Sequence, residues 1–136
     1  MKAKEYLSQA YRLDQRIDAK IEQVMSLRNL AAKATSTLSD AVPSGTRNVH
    51  RMEDIIIKII DLENEVNADI DSLVALKHEI TRIIKAVPNL EYQTLLELRY
   101  LCFKSWEQIA IEMNYSIQHI YRMREKAFKE IVVPET

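Results

Sequence analysis

Among the 136 residues, the side chains best suited to reading a partner lie close together in one segment: Gln118, Tyr121 and Arg122, followed by Lys126 and Lys129. Glutamine pairs bidentately with adenine and arginine with guanine, each good contact giving roughly 1–3 kcal/mol of discrimination between bases. With Ile117 and His119 at the leading end, the candidate base-reading set is Ile117, Gln118, His119, Tyr121 and Arg122. Lys104, Ser116, Arg124, Lys126 and Lys129 surround it and suit phosphate oxygens, which fix register without carrying sequence information.

Other chemistries find less support. His50, His78 and His119 are isolated, and no pair has the helical spacing of metal ligands. Cys102 is the single cysteine, which excludes an intramolecular disulfide and a cysteine-based zinc site. Its neighbours Tyr100, Leu101 and Phe103 predict a buried, inert thiol. Acidic pairs such as Glu53-Asp54 and Glu63/Glu65 have no nucleophile or general base placed with them. Gly45 is the only glycine, so no phosphate-cradling loop can form. The expectation is a protein that is not an enzyme and carries no metal or cofactor.

The reading segment needs helices to hold it. Pro88 lacks an amide hydrogen and pushes Val87 away from helical angles, so one long element must stop there. Three shorter helical patterns follow, at about 91–103, 106–113 and 117–132. Ser105 can cap the second, with Gln108 three residues on completing a capping box, and Ser116 can cap the third. Only Asn114 and Tyr115 separate Met113 from Ser116, and asparagine tolerates the left-handed backbone such a turn demands. Ile109, Met113, Tyr115, Ile120 and Met123 fall where a helix-turn-helix must be buried, and small Ala110 falls where its helices approach closely. If Ile120, Met123, Ala127 and Ile131 face inward, the opposite face carries Gln118, Tyr121, Arg122, Glu125 and Lys129.

Through Leu98-Arg99-Tyr100-Leu101, Ser105-Trp106-Glu107-Gln108-Ile109-Ala110 and Tyr115-Ser116 to Ala127-Phe128, the last third of the chain resembles the fourth region of bacterial sigma factors and related phage regulators. It departs from that pattern at Asn114, where the family commonly has glycine. The resemblance implies base contacts at Gln118 and Arg122 and a partner in host RNA polymerase. With its long helical arm, the whole chain looks like the ArpU/RinA-like phage transcription regulators and related small prophage proteins of Gram-positive bacteria, many of unassigned function.

That arm occupies residues 1–87. Tyr6, Ala10, Leu13, Ile17, Val24, Leu27, Ala31 and Ala34 recur at three- and four-residue steps over a first helix at about 2–34, a seam interrupted by Lys20. A second helix at about 51–87 carries Ile56, Ile59, Val66, Ile70, Leu73, Ile80, Ile84 and Val87, with Glu63 and Lys77 breaking the seam and Ile55, Ile60, Leu62 and Ile83 widening it. Residues 35–50, rich in Ser and Thr and holding Pro43 and Gly45, read as a loop. With 47% hydrophobic and 29% charged residues, one Gly and three Pro, the composition favours long helices over hairpins and tight turns. The expected fold is all-α: a long antiparallel helical hairpin or coiled-coil arm for oligomerisation, followed at 88–136 by a three-helix, sigma region 4-like helix-turn-helix for DNA binding.

A formal net charge of −1 gives no general affinity for nucleic acid, so binding must come from a local basic face. On the third short helix Arg122, Arg124, Lys126 and Lys129 oppose Glu125 and Glu130, leaving about +2, and one such module would bind weakly. A homodimer or higher homo-oligomer through the arm would pair two modules on double-stranded DNA. No run approaches the roughly 18 apolar residues of a membrane span and no secretion signal is seen, so a cytoplasmic location in a bacterial host is expected. The leading expectation is a sequence-specific transcription regulator of phage or prophage genes. The alternatives are a DNA-packaging protein like a phage terminase small subunit, and a helical adaptor for protein partners that never meets DNA.

Overall fold

The computed structural model describes the backbone of residues 1–40 and 45–134, with side chains at 1–35 and 49–134. Among these the fold is all-α and without strands: α1 Ala3–Leu7, α2 Gln9–Asp40, α3 Gly45–Lys85, α4 Leu90–Tyr100, α5 Trp106–Met113 and α6 Ile117–Glu130. Ser8 alone separates α1 from α2. Its backbone amide donates to the Lys4 carbonyl at 3.0 Å, and its hydroxyl donates to the same oxygen at 2.6 Å. Such back-bonding by a serine hydroxyl bends a helix without ending it.

Both ends of the segment expected as a loop over 35–50 are helical. α2 runs on to Asp40 and α3 begins at Gly45, while residues 41–44 lie outside the described residues. Serine and threonine disfavour a helix by only a few tenths of a kcal/mol each, which is too little to stop one already many turns long.

Contacts divide the chain into two compact units, Met1–Asp14 with Ser72–Thr136, and Gln15–Asp71. Within the second, α2 and α3 pair as an antiparallel hairpin. Lys20 meets Asp69 and Arg28 meets Glu63, so partners shift in opposite directions along the two helices. Val24, Ile55, Ile59 and Leu62 form its core with Leu27 and Ala31 against them.

The seam of α3 in this unit differs from the expected one by a residue. Ile55, Ile59, Leu62 and Val66 are buried, whereas Ile56 and Ile70 are exposed. The observed steps of four, three and four leave Glu63 outside the seam and bring Asp69 into it. Asp69 faces Lys20 of the α2 seam at 2.7 Å, with side chains only 17% and 12% exposed. Two polar interruptions on different helices thus neutralise each other, and Arg16 approaches the same carboxylate at 3.7 Å.

The other unit has a larger core. Tyr6, Leu7 and Ala10, then Ile80, Ile84 and Val87 of the α3 end, pack with Leu95, Leu96 and Tyr100 of α4, Ile109 and Ala110 of α5, and Ile120, Met123, Ala127 and Ile131. α1 packs directly on α6. Pro88 marks the turn between α3 and α4, and Gln93 secures it by donating to the Val87 carbonyl at 2.7 Å. The long helix therefore ends at Lys85, within the turn that Pro88 completes, while the compact units divide at 14/15 and 71/72.

Candidate nucleic-acid interface

Four local devices set the geometry of α4, α5 and α6. Asn89 caps α4, its side-chain oxygen accepting from the amides of Glu91 at 2.9 Å and Tyr92 at 3.2 Å. Ser105 and Gln108 form a reciprocal capping box on α5, at 3.2 Å and 2.9 Å. Asn114 ends α5 in the left-handed region at φ 62° and ψ 44°, letting the Tyr115 amide donate to the Ala110 carbonyl at 3.0 Å. Ser116 then caps α6 by accepting from the His119 amide at 3.1 Å. The chain turns from α5 to α6 in three residues because the left-handed Asn114 returns the amides of Asn114 and Tyr115 to carbonyls at the end of α5, and Ser116 takes up an amide at the start of α6.

The inward face of α6 is Ile120, Met123, Ala127 and Ile131, all buried. Ile109 and Ala110 of α5 are buried with them, and Met113, Tyr115 and Ile117 pack at the margin. With its back held in this way, α6 presents Gln118, Tyr121, Arg122, Glu125, Lys126 and Lys129 outward. Arg122, Lys126 and Lys129 follow at steps of four and three and so share one helical face. His119, half-buried, lies with its ring 4.5 Å from that of Tyr115. The Tyr115 hydroxyl donates to Glu91 at 2.7 Å, and that bond raises its pKa above the ordinary 10.0. His119, Arg122 and Lys126 line one cleft of about 360 Å³ with Asn89, Glu91, Tyr92 and Met123.

Two of the expected phosphate contacts are engaged within the protein. Lys104 forms an ion pair with Glu112 of α5. Arg124 lies with its guanidinium 5.3 Å from the Trp106 ring and 4.8 Å from the Tyr121 ring, and its Nε is 3.1 Å from Glu125. Arg99 covers Trp106 as well, at 4.9 Å, and donates to the Lys104 carbonyl at 2.9 Å. Arg124 is 27% exposed, which makes it a brace between α5 and α6 more than an open contact. Burial beneath this layer pushes the Tyr100 hydroxyl up to about 12. The brace is invisible in helical periodicity, because Trp106 and Arg124 meet only after the turn at Asn114 has folded.

Cys102 is exposed, contrary to the burial its neighbours predicted. α4 ends at Tyr100, the amides of Leu101 and Cys102 both return to the Glu97 carbonyl, and Phe103 takes φ 60°. That reversal directs Phe103 toward Tyr11, at 5.6 Å, and under the Lys77 ammonium, at 4.5 Å, leaving the thiol outside. Among the described residues no group of acidic, histidine and cysteine side chains is placed to hold a metal ion, and no helix is long and apolar enough to cross a membrane.

Residues 31–132 match the model of a family described as "Protein of unknown function (DUF1492)". The match takes in the later part of α2, all of α3 and the three short helices. No curated protein and no solved structure matches the chain.

Proposed function

We propose that this chain, which belongs to the DUF1492 family of proteins of unknown function, is a sequence-specific DNA-binding regulator that reads the major groove with α6. The observation that carries this reading is the division of α6 into two faces. One is wholly buried against α4 and α5, and the other offers Gln118 and Arg122 beside Lys126 and Lys129. A major groove about 12 Å wide admits one helix, and a helix held from behind by a short turn is how this motif presents its side chains to base edges. Ile117 and His119 stand at the leading end of that helix. Ser116, Lys126 and Lys129 are the phosphate contacts, with Lys104 joining only on release from Glu112. Resemblance to sigma region 4 and to ArpU/RinA-like regulators agrees with this reading and adds a phage or prophage gene as its setting.

Binding should be tested with purified full-length chain on a pool of random duplexes at several salt concentrations, followed by footprinting of the selected sites. The expected result is salt-sensitive binding with a shared motif. Gln118→Ala and Arg122→Ala should each relax the preference at one base position, by about 1–3 kcal/mol. Absence of salt-sensitive binding to any duplex sinks the proposal and leaves a protein partner as the target of α4 to α6.

A further inference from the structure

The hairpin of α2 and α3 has two unlike flanks beside its seam. On one, Arg16, Gln23 and Ser26 of α2 lie with Asp61 and Glu65 of α3, a mainly polar surface in which Leu30, 49% exposed, is the apolar exception. On the other, Ile21 and Met25 of α2 lie beside Ile56, Ile60 and Ile70 of α3, each 40–59% exposed. Between these apolar groups sits a single ion pair, Arg28 with Glu63.

We propose that this apolar flank seats the same flank of a second copy of the chain, about a twofold axis running parallel to the hairpin, so that α2 of each copy packs on α3 of the other. The inference gives a surface to the pairing on which strong DNA binding by a weak single module depends, and rests on that reading only for its purpose. Three observations select a second copy as the occupant.

The first is extent. Five half-exposed side chains leave on the order of 400 Å² of apolar surface on one flank, as large as the greatest patch a typical monomer shows and about half of what each partner buries in a standard interface. Arg28, Glu63 and neighbouring polar groups supply the remainder. The second is charge. The Lys20–Asp69 and Arg28–Glu63 pairs define which residues of α2 and α3 lie at one level. A twofold parallel to the hairpin therefore sets Glu63 of one copy against Arg28 of the other, closing four charges into an alternating ring. The opposite orientation of the second copy, with its axis at this level, would set Glu63 against Glu63. The third is shape. At the levels of Ile56 and Ile60, α2 offers Ala32 and Thr35, small enough to receive the larger side chains of the other copy, while Ile21 and Ile70 meet at the far end. A groove of about 360 Å³ between Met25 and Asn67 is open on this flank to take an apolar side chain.

The test is the mass of the full-length chain in solution by sedimentation equilibrium, with far-UV circular dichroism on every variant. The unaltered chain should be a dimer, Ile60→Glu a monomer of unchanged helicity, and Asp61→Arg, on the mainly polar flank, still a dimer. Arg28→Glu, at an exposed position that leaves the core intact, should weaken dimerisation at least tenfold, and adding Glu63→Arg should restore it. A monomer at every concentration, a closed ring of more than two chains, or a dimer indifferent to both Ile60→Glu and Arg28→Glu overturns the proposal. DNA binding is read on the same samples. A monomer that still selects a DNA motif removes this interface and keeps the reading helix, whereas a dimer with no affinity for DNA does the reverse.

Discussion

Arg124 and Lys126 stand two residues apart on α6 and do different work. Arg124 is stacked on Trp106 and Tyr121, so Arg124→Ala should lower the thermal midpoint, by an amount that reflects about 0.5–2 kcal/mol for lost cation–π contacts. Lys126 is exposed, so Lys126→Ala should leave the midpoint in place and reduce the salt dependence of DNA binding by about one charge. Thermal melts and a salt titration on both variants separate the roles; equal midpoints would remove the brace. Asn114 offers a second check at this scale. In the left-handed region a Cβ lacking asparagine's local hydrogen bonding costs roughly 1–2 kcal/mol, so Asn114→Ala should destabilise by about that amount in a urea titration while Asn114→Gly does not. Asn114, Ser105 and Ser116 were legible in the sequence because caps and left-handed turns are decided by a few adjacent residues. Arg124 and Cys102 were not. Their surroundings depend on Trp106 across a turn and on the reversal at Phe103, and neither is written in local periodicity.

Among the helices, the short ones were easier to place than the long ones. α5 lies where its caps predict, whereas α3 presents two adjacent apolar stripes and its own sequence does not say which faces α2. Lys20 and Asp69 decide it. A polar residue in a helical seam fixes register because any slip leaves it without a partner, and here each is the other's partner. The ammonium of Lys20, donating to Asp69, holds its carboxyl below the ordinary 3.8. With the folded pKa depressed, the pair's contribution is fully present above about pH 4 and is lost as pH falls through the lower, folded value. Asp69→Asn should therefore melt lower than the native chain near neutrality, and the difference should shrink on acidification. Melting curves at a series of pH values check this, and a gap that widens in acid contradicts it. Asp69→Asn should also loosen the register of the hairpin, read as faster amide exchange along α2.

On the scale of the whole molecule, the helix-turn-helix is not a separate carboxy-terminal bead. Its core is shared with Tyr6, Leu7 and Ala10, which sequence reading assigned to the arm. Apolar spacing showed that these residues face a core, and gave no means of knowing that the core includes α6. Leu7 is fully buried there, so Leu7→Ala should cost about 2–5 kcal/mol and lower amide-exchange protection in α6, although the two are far apart in the chain. Protection lost in α2 alone would show that α1 belongs only to the hairpin. The packing of α1 on α6 also orders events during synthesis. A ribosome completes α1 long before it reaches Ile120 or Ile131, so the apolar face of α1 must wait through the making of α2 to α5 for its mate. Until α6 is made, Leu7 lacks part of the core that buries it, and transiently exposed apolar surface of this kind is what chaperones bind. Burial of α1 is thus completed only by α6, and until then its apolar face marks an unfinished chain.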